Sequence, residues 1–92
     1  MTTQGDYAYS QVADAQLNAL ELGRNAALYN NVVEICEAIL DAPEKFRESA
    51  AVITTNEGLR FRTHVRGADP YKIFWSYDDG IARIEAVFPY PV

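Results

Sequence analysis

Residues 58–88 read GLRFRTHVRGADPYKIFWSYDDGIARIEAVF, and this stretch decides the fold. It contains three runs rich in aromatic and β-branched residues, separated by Gly-Ala-Asp-Pro at 67–70 and by Asp-Asp-Gly at 78–80. Gly, Asp and Pro favour the backbone conformations of tight turns, and Asp-Gly is typical of a two-stranded hairpin. The pattern therefore predicts three antiparallel strands, over 59–65, 71–77 and 81–88.

The first of these strands alternates in character, and successive side chains of a strand point to opposite faces. One set is mostly apolar and the other is cationic: Leu59, Phe61, Thr63 and Val65 against Arg60, Arg62, His64 and Arg66. This alternation predicts a sheet with one face packed on a core and one cationic face turned to solvent.

The other two strands have different patterns. In the second, Ile73, Phe74 and Trp75 are consecutive, which predicts a central strand covered on both faces. In the third, alternation predicts two sets on opposite faces: Ile84, Ala86 and Phe88 against Ile81, Arg83, Glu85 and Val87. Two shorter segments, 7–9 and 51–54, are candidates for additional edge strands.

The first half of the chain has helical periodicity. Apolar residues recur at three- and four-residue steps over 10–22 and again over 26–41. Ser10 is a suitable N-cap, Gly23 suits a left-handed stop, and Pro43 ends the second run because it lacks a backbone donor. The short link favours an antiparallel helical hairpin. We therefore expect one α+β domain over 1–92, with an N-terminal helical hairpin packed on a C-terminal antiparallel β-meander.

The charge distribution limits the classes of partner. The 92 residues include 8 Lys plus Arg and 13 Asp plus Glu, giving a net charge of −5. Five of the cations follow residue 58: Arg60, Arg62, Arg66, Lys72 and Arg83. Autonomous nucleic-acid binders usually carry an excess of basic residues, because neutralised phosphates supply most of their affinity. Any RNA contact is therefore expected to be local or assisted by a partner.

Cysteine content and hydropathy suggest the cellular setting. The single cysteine, Cys36, excludes an intramolecular disulfide and a multi-thiolate metal site. Zinc spacing, a phosphate loop and a Ser/His/Asp set are absent from the sequence, so we expect neither a metal nor a cofactor. No apolar run approaches the ~20 residues that span a bilayer. We expect a soluble, cytoplasmic protein with no membrane partner.

The cationic strand is the main candidate for chemistry. Its alternate side chains lie about 6.5–7 Å apart, which suits successive phosphates. His64 could act as a general base on a ribose hydroxyl while the arginines stabilise a pentacovalent phosphorane. The alternative is a solvated polar face whose cations pair with Asp69, Asp78, Glu85 or carboxylates of the helices. Trp75 is assigned to the core, whereas Tyr90, between two prolines, is a candidate exposed aromatic.

The order of these elements resembles the RelE/ParE toxin superfamily of bacterial type II toxin–antitoxin modules. The resemblance covers about 13–87. In it, AILDAPEKF at 38–46 is similar to the end of the family's second helix, and GLRFRTHVRGADPYKIFWSYDDGIARIEAV at 58–87 is similar to its strand core. The resemblance implies a RelE/ParE-like fold for this chain.

The resemblance also implies site residues. Nucleolytic members cleave mRNA in the ribosomal A site without a metal, so this chain would be an mRNA interferase. Its catalytic residues would be Arg62, His64, Arg66 and Tyr90, and its substrate-binding residues would be Arg60 and Lys72, the latter standing where an arginine is usual. The other branch, associated with gyrase inhibition and plasmid stabilization, implies no nuclease site.

Two function classes therefore stay open at the level of sequence. The first, which we expect, is a toxin that acts on the ribosome and its mRNA or on DNA gyrase and is neutralised by a cognate antitoxin protein. The second is a non-catalytic protein-interaction module or degenerate toxin on the same fold, with self-association into a homo-oligomer as the competing outcome.

Overall fold

The computed structural model of the protein describes residues 8–90: helices are followed by a four-stranded antiparallel sheet. The helices are α1 (Gln11–Leu22), α2 (Ala26–Asp41) and α3 (Pro43–Arg47). The strands are β1 (Ala51–Thr55), β2 (Gly58–His64), β3 (Tyr71–Asp78) and β4 (Ile81–Pro89), in the order β1-β2-β3-β4. The predicted α+β class, the two long helices and the three strands of the meander are confirmed.

The two edge-strand candidates have different outcomes. Segment 51–54 lies in β1, which pairs with β2 from Ala51 opposite Arg62 to Thr55 opposite Gly58. At the other edge, Tyr9 makes a single parallel bridge with Ile84. Tyr7, which belongs to the same predicted segment, lies outside the described residues.

Side-chain caps start the two long helices. The Ser10 hydroxyl accepts a hydrogen bond from the Ala13 amide at 3.0 Å, and the Asn25 side chain accepts one from the Leu28 amide at 2.9 Å. The prediction of a left-handed stop at Gly23 is wrong, because this residue is extended, with φ −72° and ψ −178°.

Pro43 begins the short helix α3, which the sequence analysis missed. The ring of a proline fixes φ near the helical value, and the amide it lacks would have no partner in the first turn of a helix. The same residue therefore ends the helical run before it and starts the next one.

The core lies between the helices and one face of the sheet. Its largest fully buried side chain, Trp75, donates from Nε1 to the Thr63 hydroxyl at 2.9 Å and packs against Phe61 with the ring centres 4.9 Å apart. The assignment of Trp75 to the core is confirmed. The buried core comprises Ala13, Val32, Cys36, Ile39, Phe61, Val65, Ala68, Ile73, Trp75, Ala82, Ile84 and Val87.

A β-bulge changes the faces of β4. Phe74 pairs with Ala86 and Trp75 pairs with Ile84, so Glu85 is an extra residue without a partner in β3. An inserted residue reverses the alternation beyond it. Val87 is consequently buried, and the predicted grouping of Ala86 with Ile84 is wrong.

The bulge is also where α1 attaches to the sheet. The Ser10 amide donates to the Ile84 carbonyl at 2.9 Å, and the Ser10 hydroxyl donates to the Glu85 carbonyl at 2.6 Å. The Gln16 side chain accepts a hydrogen bond from the Val87 amide. The N-cap of α1 thus also satisfies the irregular backbone of β4.

Because Ile73 and Trp75 point into the core, Phe74 between them points to the opposite side of the sheet and is half-buried. We call this side, which faces away from the core, the open face. β3 is a central strand as predicted, but within residues 8–90 the helices cover only one of its faces.

Candidate functional site

Strand pairing determines which side chains meet on the open face. Arg62 pairs with Phe74, which pairs with Ala86, and in the next row His64 pairs with Lys72, which pairs with Phe88. Side chains two residues apart share a face. The open face therefore carries Arg60, Arg62 and His64 from β2, Lys72, Phe74 and Ser76 from β3, and Arg83, Ala86 and Phe88 from β4.

Tyr90 lies on this face, directly after β4. Its ring meets those of Phe74 and Phe88 edge-on, with centres 5.5 and 6.1 Å away, and the guanidinium of Arg62 lies 5.1 Å from the Tyr90 ring centre. The Tyr90 amide donates to the Pro70 carbonyl at 2.8 Å. Backbone and ring contacts together fix this tyrosine beside Arg62.

His64 and Lys72 lie next to this pair. Nε2 of His64 is 3.0 Å from an Asp69 carboxylate oxygen, and the imidazole is half exposed. The Lys72 ammonium donates to the carbonyls of Pro70 and Tyr90, at 3.3 and 3.4 Å. With Asp69 accepting at Nε2, Nδ1 is the imidazole nitrogen left to take a proton. We call Arg62, His64, Lys72 and Tyr90 the cationic cluster.

The two remaining site candidates lie apart from this cluster. Arg60 is near the opposite end of the open face, where its guanidinium contacts a Glu57 carboxylate oxygen at 3.3 Å. β2 ends at His64, so Arg66 lies in the following turn and not on the strand. Its side chain is exposed, and its carbonyl accepts a hydrogen bond from the Asn31 side chain at 2.9 Å.

Sequence reasoning missed two residues of this face, Arg83 and Phe88. Arg83 and Phe88 share it because of the bulge at Glu85, which no glycine or proline marks in the sequence. Asp69, one of the acids expected to pair with the cationic strand, lies beside this face and contacts His64 across the short turn. Phe88 stacks on Phe74 with the ring centres 4.9 Å apart.

Cys36 does not offer a nucleophile. Its side chain is fully buried in the core, and burial raises the pKa of the thiol to about 12. The thiolate is the reactive form of cysteine, and it is scarce at neutral pH when the pKa is this high. The chemistry of the site therefore rests on nitrogen and oxygen groups of the open face.

Residues 8–90 contain neither a cluster of metal ligands nor a membrane-spanning helix. In that part of the chain, no three His, Cys, Asp or Glu side chains come together as metal ligands would. The helices described there are also too short or too polar to cross a membrane.

Comparison of the chain with protein-family models, with curated proteins and with solved structures gives no match.

Proposed function

We propose that the chain is the toxin of a bacterial type II toxin–antitoxin module of the RelE/ParE kind, that it acts in the cytoplasm, and that a cognate antitoxin neutralises it. The observation that carries the proposal is the cationic cluster on a sheet face that points away from the core. Within residues 8–90, the carboxylate in contact with this cluster is that of Asp69. Such a surface suits a phosphate-bearing target.

The cluster has the groups needed for metal-independent cleavage of RNA. In the proposed reaction, His64 accepts the proton of a ribose 2′-hydroxyl, and the 2′-oxygen bonds to the adjacent phosphorus. The 5′-oxygen leaves with a proton from the Tyr90 hydroxyl, while Arg62 stabilises the charge of the phosphorane. Lys72 would hold a neighbouring phosphate, and Arg66 would add positive charge to the site from its turn. Arg60 lies near the other end of the open face beside Glu57 and takes no part in this reaction. The net charge of −5 favours a target presented by the ribosome over free RNA.

A second candidate, a non-catalytic interaction module, is favoured by a different observation. Val52 and Leu59, on the two strands at the β1 edge, are 61% and 55% exposed although both are large and apolar. An edge strand beside exposed apolar side chains is a typical surface for sheet extension by another chain. This candidate predicts association through β1 and no dependence on the cationic cluster.

Cell-free assays with the purified protein test the proposal. Translation of a reporter mRNA and supercoiling by gyrase are measured in one bacterial extract, with wild type beside Arg62→Ala and with Arg24→Ala as the matched control. Arg24 is an exposed arginine in the loop between α1 and α2. We expect loss of translation with wild type and Arg24→Ala and much weaker loss with Arg62→Ala. Loss of supercoiling alone would indicate gyrase as the target, and no effect on either would overturn the proposal.

A further inference from the structure

The end of the open face away from the cationic cluster contains a large open cavity. Its volume is about 930 Å³, within the usual range for ligand sites. The start of α1 forms one wall, the β1–β2 turn forms the opposite wall, and Phe74, Ala86 and Phe88 form the floor. The stacked rings of Phe74 and Phe88 separate it from the cationic cluster. We call it the Arg83 cavity.

Arg83 is the less neutralised of the two arginines that line this cavity. Its side chain is 43% exposed, and its ion-pair contact within the described chain is a single one, to Glu85 at 4.0 Å. The same Glu85 oxygen already accepts a hydrogen bond from the Ser76 hydroxyl at 2.7 Å. The Nε atom of Arg83 is buried and finds no hydrogen-bond partner among residues 8–90. The exposed end of the guanidinium is therefore available to an incoming carboxylate, with which its two terminal nitrogens can pair in a bidentate manner.

A second arginine lies on the other side of the floor. Continuing the β2–β3 register by one position places Arg60 level with Ser76, which itself pairs with Arg83. The two arginines are thus two strand spacings apart, about 10 Å at the backbone. The Arg60 guanidinium also lines the cavity, although Glu57 already pairs with it.

The charges of the residues that line the cavity determine which class of ligand can bind there. Three acids line the cavity: Asp14, Glu57 and Glu85. Glu57 pairs with Arg60 and Glu85 pairs weakly with Arg83, whereas Asp14 has no ion pair among the described residues. A nucleic-acid strand would bring a phosphate at each nucleotide close to these acids, which like-charge repulsion disfavours. A peptide can present one carboxylate to Arg83 and place an apolar side chain on the floor of Phe74, Ala86 and Phe88.

We propose that the Arg83 cavity is a peptide-binding site for a segment that carries a carboxylate beside an apolar side chain. The site is distinct from the cationic cluster and does not depend on the proposed nuclease or on toxicity. Affinity comes from two sources: burial of the apolar side chain on the aromatic floor, and the charge-assisted hydrogen bonds to Arg83.

Peptide selection tests this inference. A random-peptide phage library is panned on the wild-type protein, and the enriched peptide is then titrated by fluorescence polarisation. We expect enriched sequences with Asp or Glu within a few positions of Leu, Ile or Phe. Arg83→Met should weaken binding roughly 10–100-fold, because a charged hydrogen bond is lost while the stem is kept. Arg24→Met, the matched control outside the cavity, should leave the affinity unchanged.

Two further measurements test the inference independently of Arg83→Met. Ala86→Leu fills the floor without removing a charge, so it should also block the peptide even where Arg83→Met disturbs folding. Amide chemical-shift mapping with the peptide should perturb Val12, Glu57 and Arg83, which line the cavity away from the cationic cluster, and a short oligouridylate should not. The inference is overturned if no peptide is enriched, if both variants bind like wild type, or if the oligouridylate perturbs the same amides.

Discussion

The guanidinium of Arg62, in the middle of β2, lies 5.1 Å from the ring centre of Tyr90, the residue after β4. The pair spans β3, and it holds the end of the described chain against the open face. The rings of Phe74 and Phe88 also contact the tyrosine ring, both edge-on.

Tyr90→Ala should therefore lower the free energy of unfolding by about 1–2 kcal/mol, through loss of the aromatic pairs and the cation–π contact. Tyr90→Phe keeps the ring and should cost less than about 0.5 kcal/mol. Urea denaturation of both variants measures the difference. Equal destabilisation by the two substitutions would show that the ring contacts do not hold the tyrosine.

The indole of Trp75 has its hydrogen-bond acceptor in Thr63, and both residues are buried. Thr63→Val should cost about 1–3 kcal/mol, because it leaves the indole N–H without a partner in the core. Thr54→Val, on the exposed part of β1, is the matched control and should change stability by less than about 0.5 kcal/mol. Denaturant titrations followed by tryptophan fluorescence compare them. A neutral Thr63→Val would contradict this role of the hydroxyl.

Ser10 and Asn25 both cap helices, but only Ser10 also binds the β4 bulge. Ser10→Ala should cost about 2 kcal/mol, the sum of a lost cap and a second buried hydrogen bond. Asn25→Ala loses one exposed cap and should cost about 1 kcal/mol or less. Thermal unfolding of the two variants measures the difference. If the order were reversed, the proposed attachment of α1 at Glu85 would be wrong.

The Cys36 thiol has a pKa of about 12 in the folded chain, against an ordinary 9.0. Between these values the unfolded state releases the proton and the native state keeps it, so the free energy of unfolding falls as pH rises from about 9 toward 12. Cys36→Ala should reduce this pH dependence, because the variant lacks the buried thiol. Part of the dependence should remain, since burial also raises the pKa of Tyr9, which is present in both proteins.

Thiol labelling gives an independent check on Cys36. Ellman's reagent at pH 8 should modify the native protein very slowly and the urea-unfolded protein fast. Rapid labelling of the native chain would contradict the burial of this residue.

The sequence predicted the fold well where local pattern and tertiary packing agree. Helical spacing over 26–41 gave α2 with its actual bounds, and the turn residues at 67–70 and 78–80 separated β2, β3 and β4. Trp75 could be assigned to the core because a large apolar residue in a central strand is usually buried.

The open face was harder to predict. The cationic strand was visible from period two, but the contact of Arg62 with Tyr90 depends on how the chain leaves β4. The bulge at Glu85 inverted the expected faces of Ala86 and Val87, and brought Ala86 and Phe88 to the same face as Arg83. Bulges arise from tertiary fit, here from Ser10 docking on the Glu85 carbonyl, and alternation alone carries no sign of them.

Growth after induced expression in a bacterium that lacks any partner gene tests the central claim most directly. The claim is that the cationic cluster makes the chain a growth inhibitor. Wild type and the exposed-arginine control Arg24→Ala should stop growth at equal protein levels. Arg62→Ala should restore growth, because loss of one transition-state contact typically lowers a rate ~10²–10³-fold. Normal growth with folded, abundant wild-type protein, or full toxicity of Arg62→Ala, would contradict the account.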